Sequence, residues 1–174
     1  MSERGDPETR VSTGDCLLDP RFVAQQRLVG RLRALALSAI TFLALLIPLV
    51  AADELAPWAR LTLVGTWLIA MAGQAWFAEA WPARMYAHTR YRLDEDGLQI
   101  ARGVYWRTVT HVPRSRVQHT DVSQGPLERR YGLGTLVVYT AGTDHAKVGL
   151  PGLAHETAVR LRDDLRSEHA DDAV

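Results

Sequence analysis

The hydrophobic residues of this chain are gathered into blocks. Ala34 to Ala52 (ALALSAITFLALLIPLVAA) runs for 19 residues without a formal charge, and Leu61 to Ala78 (LTLVGTWLIAMAGQAWFA) for 18. As helices rising about 1.5 Å per residue, the blocks reach roughly 27 to 29 Å, close to the ~30 Å hydrocarbon core of a bilayer. A helix pair buried in a soluble bundle would carry a polar stripe at helical spacing. Ser38, Thr41, Thr62, Thr66 and Gln74 are the only hydroxyl or amide side chains in the two blocks, and they form no wide polar face. The pattern therefore predicts two spanning helices, since a helix surrounded by lipid must be apolar outside while its backbone bonds internally. The first block starts far into the chain and ends at the acidic Asp53-Glu54 pair, which argues against a cleaved signal peptide.

From about residue 88 the pattern changes to short alternating runs between turn residues, which is sheet behaviour. Tyr91 and Leu93 alternate before Asp94-Glu95-Asp96-Gly97, and Leu98 and Ile100 resume after it, as in a hairpin. Further strands are expected in Arg102 to Pro113, Arg116 to Gln124, Thr135 to Gly142 and His145 to Leu150, the last ending at Pro151-Gly152. Ala154, Ala158, Leu161 and Leu165 then fall on one face of a closing amphipathic helix, suited to covering a sheet or plugging a small barrel. The expected organisation is a disordered tail over 1–19, a basic juxtamembrane segment over 20–33, a transmembrane hairpin over 34–80, a sheet domain over 84–168 and a second tail over 169–174.

Charge sets the expected orientation. Arg21, Arg27, Arg31 and Arg33 precede the first block and Arg84, Arg90 and Arg92 follow the second, whereas the connection holds Asp53, Glu54 and a single Arg60. The positive-inside rule puts both termini in the cytoplasm, as a multi-pass protein of the bacterial inner membrane. Arg27, Arg31, Arg33, Arg84, Arg90 and Arg92 are then the candidate lipid-proximal residues. Trp58 at one end, and Trp76, Phe77 and Trp81 at the other, suit the interfacial belt. Neither block contains an ionisable residue to mark a transport pathway, which speaks against a transporter built from this chain alone.

The chemistry is sparse. Lysine plus arginine and aspartate plus glutamate balance at 20 each, so no strong basic field invites nucleic acid, and Tyr105, Trp106 and Tyr131 read as core residues rather than a stacking platform. The single Cys16 excludes an intramolecular disulfide and a CxxC metal site. His119 and Asp121 lie two apart on an expected strand, hence on one face, but hydrolysis needs a nucleophile or further ligands, and His111 and His145 sit at no recognisable spacing. The GPLERRYGLG segment lacks the Gly-Lys-Ser/Thr ending of a phosphate loop.

The order of elements, with YRLDEDGLQIARGVYWR, VPRSRVQHTDVSQGPLERRYGLGTLVVYTAG and LPGLAHETAVRLRDDL, resembles the bacterial pleckstrin-homology-like domain family of the membrane-anchored YdbS type. The resemblance covers roughly residues 21–166. It implies a seven-stranded, partly open barrel capped by the C-terminal helix, with no known catalytic residues and no cofactor; no metal site is expected either. It also implies that Arg116, Gln118, Gly125, Pro126, Arg129, Gly132 and Leu133 define the fold or a protein contact; His119 and Glu128, in the same segment, complete the candidate set. Eukaryotic domains of this kind that grip phosphoinositides carry basic residues around the first hairpin loop, where this chain has Asp94-Glu95-Asp96, so specific inositide binding is not expected.

The expected function is a non-enzymatic scaffold at the cytoplasmic face of the inner membrane, in a setting such as envelope stress or antimicrobial resistance. Its expected partners are the lipid bilayer and either copies of itself or a related PH-like membrane protein. The competing readings are a module that binds anionic lipid through the local excess of arginine between residues 84 and 130, an accessory subunit of a transporter and, with least support, a membrane hydrolase.

Overall fold

The computed structural model describes residues 15–51, 56–141 and 147–171. Residues 1–14 and 172–174 of the expected tails, the Asp53-Glu54 pair and His145 lie outside the described residues. The chain forms two compact units, Val23–Arg84 and a second one that joins the residues up to Phe22 with those from Met85 onward.

The first unit is formed by most of two helices, α1 (Arg21–Ala51) and α2 (Pro57–Ala87), whose outer ends belong to the second. Each has 31 residues, about 46 Å of helix. The apolar blocks are thus the middles of longer helices, and the basic residues from Arg21 to Arg33 form the first turns of α1, where no Pro or Gly-rich break stops the helix. The helices touch at Gly30, where an added Cβ would stand 3.1 Å from the Cβ of Ala78. Further along, the Trp67 indole N–H donates to the Thr41 hydroxyl at 3.1 Å and its ring leans on Phe42 at 5.2 Å. This gives a polar atom inside the apolar stretch a partner. Leu35, Ile47, Leu61 and Ile69 are exposed to between 67% and 76%. Both helices are long and apolar enough to cross a membrane, and an apolar exterior of this extent is suited to lipid, not water.

Among the described residues the second unit holds seven strands in two antiparallel sheets, as the fold class anticipated. The first sheet runs β1 (Cys16–Leu17), β2 (Arg90–Leu93), β3 (Gly97–Arg102) and β4 (Thr108–Pro113), in that order. The second runs β5 (Val117–Ser123), β6 (Leu133–Thr140) and β7 (Lys147–Ala154). Alternation places Leu98, Ile100 and Val112 from one sheet and Leu136, Val138, Val148 and Leu150 from the other in a common core. The closing helix α4 (His155–Asp171) buries Ala158, Leu161 and Leu165 into it. The two sheets do not close on each other.

Three details depart from the sequence reading. The seventh strand comes from the stretch expected to be a disordered tail: Cys16 pairs with Tyr91 and Leu17 with Arg90, and Leu18 is buried. Arg102 to Pro113 is not one strand, because Gly103, at φ +124°, turns the chain, and Tyr105 and Trp106 lie in the turn instead of the core. Pro151-Gly152 does not end the last strand. It forms an irregularity within β7, with Gly152 at φ +81°, where a residue without an N–H donor is tolerated.

Candidate functional site

The stretch from Val117 to Thr140 is built around a short helix, α3 (Pro126–Tyr131), between β5 and β6. Gly125 precedes the helix in extended conformation, Pro126 occupies its first turn and Gly132 ends it at φ +67°, the left-handed conformation that glycine adopts at least cost. The half-buried Glu128 carboxylate accepts the Gly125 N–H at 2.7 Å and the Thr135 hydroxyl at 2.7 Å. Gln124 adds a bond from its side-chain amide to the Leu133 carbonyl at 2.6 Å. Gly125, Pro126, Glu128 and Gly132 therefore meet in one loop–helix–loop joint that fixes how β6 follows β5. Arg129, on the same helix, is exposed.

Arg116, Gln118 and His119 stand elsewhere. The pairing of β5 with β6 slips between Val117 and His119, and so Gln118 and His119 are both exposed although they are neighbours. The slip restores alternation from Thr120 onward. The expected same-face pair is present: His119 Nε2 lies 3.0 Å from Asp121 Oδ1, with the two side chains 65% and 54% exposed. The imidazole also lies 5.8 Å from the ring of Tyr139, across the sheet. Among the described residues no group of three His, Cys, Asp or Glu side chains is placed to hold a metal ion.

Arg116 borders a different feature. Where the two sheets part, a groove of about 280 Å³ opens along β4, lined by Thr108, Thr110, Arg116, Thr140 and Val148 among others. β4 is the end strand of its sheet, so the groove runs beside a strand that has a sheet neighbour on one side only. Hydroxyls, the His111 imidazole, an arginine and apolar side chains line it.

A model of the bacterial PH domain family matches residues 28–169, across both the helical unit and the sheet unit. The chain belongs to the bacterial PH domain family. Over 76 residues it is 43% identical to the transmembrane protein YdbS of Bacillus subtilis (strain 168), a match covering 44% of this chain and 46% of that protein. The chain thus spans less than half the length of that relative in the match. No solved structure matches it.

In this bacterial PH domain protein the six arginines singled out from the sequence have different surroundings. Arg27 Nε donates to the Glu79 carbonyl at 3.3 Å, and Arg31 Nε to the Glu79 carboxylate. Arg84 lies 5.5 Å from the centre of the Trp76 ring. Arg92 pairs with Asp15 at 3.0 Å, bracing the strand that precedes α1. Arg33 and Arg90 are exposed. The sequence reading missed Glu79, which sits one residue beyond the second uncharged block and faces both Arg27 and Arg31.

Proposed function

We propose that this bacterial PH domain protein is a non-enzymatic scaffold, anchored by α1 and α2 in the bacterial inner membrane with both termini in the cytoplasm, whose sheet domain holds a partner protein at the bilayer. The observation that carries this reading is the groove beside β4. A partner strand laid along it would find backbone groups on the end strand, and alternate side chains would meet Thr110 and Val148. Anchoring raises the effective concentration of any partner held in the same membrane, so an interface too weak in solution becomes occupied. The partner is a second copy of this chain or a membrane protein with domains of the same family. The residues around α3 serve the fold, and Arg116 serves the contact.

A photoreactive amino acid at Val109, on β4, tests the reading in native membranes, with the same group at Glu95, in the acidic turn, as the control. Val109 should give a discrete protein adduct containing this chain or a PH-like membrane protein, and Glu95 should not. Equal labelling from both positions, or adducts with lipid alone from Val109, would dismiss the scaffold.

A further inference from the structure

The two most exposed large apolar side chains of the sheet unit are neighbours, Tyr105 at 82% and Trp106 at 88%. They sit in the turn between β3 and β4, and its shape is set by glycine: a Cβ on Gly103 would stand 1.8 Å from the Trp106 carbonyl oxygen. The base of the turn is held by Arg102, whose Nη2 donates to the Gly149 carbonyl at 2.9 Å. Exposing an indole and a phenol side by side on a shaped turn is costly in water unless another phase covers them.

Strand register places the turn within the sheet. Arg102 pairs with Thr108, and Ala101 pairs with Arg90, the first residue of β2. The aromatic turn therefore lies at the end of the first sheet where the chain arrives from α2, with only His88 and Thr89 between helix and strand. From Ala87 to Arg90 the chain can reach no more than about 11 Å. The acidic Asp94–Gly97 turn lies at the opposite end of the same sheet. Between Asp96 and Asp121 there is no acidic residue, and Arg102 and Arg107 flank the aromatic pair.

We propose that the Gly103–Arg107 turn is a third membrane contact: Trp106 and Tyr105 seat in the headgroup layer of the bilayer that α1 and α2 cross, and Arg107 pairs with anionic phosphate. Tryptophan and tyrosine favour that layer because their rings are apolar and their N–H and O–H groups still reach water. Arginine binds phosphate with charge-assisted bonds. The inference rests on the membrane anchoring proposed above.

The test uses the full chain with fluorotryptophan, in nanodiscs of equal parts phosphatidylcholine and phosphatidylglycerol, with Trp106→Phe to assign the Trp106 fluorine signal. A lipid spin-labelled near its headgroup should broaden the Trp106 signal as strongly as that of Trp81, and a water-soluble gadolinium chelate should leave it sharp. Arg107→Gln, or removal of phosphatidylglycerol, should weaken the lipid-induced broadening. A Trp106 signal broadened by the chelate and untouched by the lipid label overturns the inference. Protection from both agents overturns it too, since a protein, such as a second copy, would then cover the turn. Trp67, near the middle of the uncharged block of α2, reports the anchoring separately: a lipid labelled deep in its acyl chain should broaden it whatever Trp106 does. If Trp67 also fails to respond, the anchoring itself is wrong and both readings fall.

Discussion

The ring of Phe22 lies directly on Gly152, so close that a Cβ at Gly152 would stand 2.7 Å from ring atoms Cγ and Cδ2. Beside this contact the Asp19 N–H donates to the Gly152 carbonyl at 2.8 Å. The residues just before α1 are thereby sewn to β7, and Leu18 and Phe22 complete a core whose other members all follow α2. The sheet unit is discontinuous in sequence, and a fragment beginning at β2 would lack β1, Leu18 and Phe22.

Gly152→Ala should destabilise the protein by about 1–3 kcal/mol, because alanine at φ +81° is strained and its methyl group meets the Phe22 ring. Phe22→Ala should cost about 3–5 kcal/mol through lost burial. The double variant should cost less than the sum, since removing the ring removes the clash. Thermal unfolding of the four proteins in one detergent measures all three terms, and strict additivity would show that the two residues do not share a contact.

Glu128→Ala removes the acceptor for both the Gly125 N–H and the Thr135 hydroxyl. Hydrogen bonds to a charged group are worth about 1.5–3 kcal/mol, so the loss should lower the midpoint of unfolding clearly, and Glu128→Gln should recover part of it. Amide hydrogen exchange at Gly125 should quicken in Glu128→Ala more than at Val138, a core residue of β6. Uniform acceleration across β6 would mean that Glu128 does not act locally.

The spans, the hairpin at Asp94–Gly97 and the buried face of α4 were legible because each rests on local pattern: length without charge, alternation around a turn, and helical spacing. Cys16–Leu18 was not legible as part of the domain. Three apolar residues are too few to show a period, and their partner, β2, lies beyond both helices. The aromatic turn failed for the opposite reason. Val104, Tyr105 and Trp106 have the composition of a strand, and only the positive φ of Gly103 shows that they turn. The groove was out of reach because it exists only where two sheets fail to close. The pairing of Glu79 with Arg27 and Arg31 depends on the register of two helices, which uncharged stretches do not specify.

The same buried strand makes the fold sensitive to alkali. Burial first, and then the neighbouring Cys16 thiol, push the Tyr91 phenol up to about 12 from its ordinary 10. The folded state therefore keeps a proton that the unfolded chain releases. This contribution is fully present below pH 10 and is lost as pH rises toward 12, by at most about 2–3 kcal/mol. Tyr91→Phe should lower stability little at neutral pH and should flatten the decline measured by denaturant titration between pH 10 and 12. An unchanged alkaline slope in the variant would assign the decline to other groups.

The approach of the two helices at Gly30 and Ala78 is itself testable without unfolding the protein. Glycine there removes the side chain that would hold the backbones apart, and an ideal Cβ at Gly30 would sit 3.1 Å from that of Ala78. Disulfides need Cβ atoms about 3.5–4.5 Å apart, a spacing that a small relaxation at this contact supplies. In a Cys16→Ser background, Gly30→Cys with Ala78→Cys should therefore oxidise within one chain in native membranes, giving a faster-migrating band on a non-reducing gel. Gly30→Cys with Gly65→Cys should not, because Gly65 has no atom within contact of its would-be Cβ. The hydrogen bond from Trp67 to Thr41 should hold the same register deeper in the hairpin, so Trp67→Phe should slow formation of the disulfide between positions 30 and 78 without abolishing it. If that pair linked only between chains, the two helices would be packing against neighbours, and the hairpin would have to be redrawn as an exchange between copies.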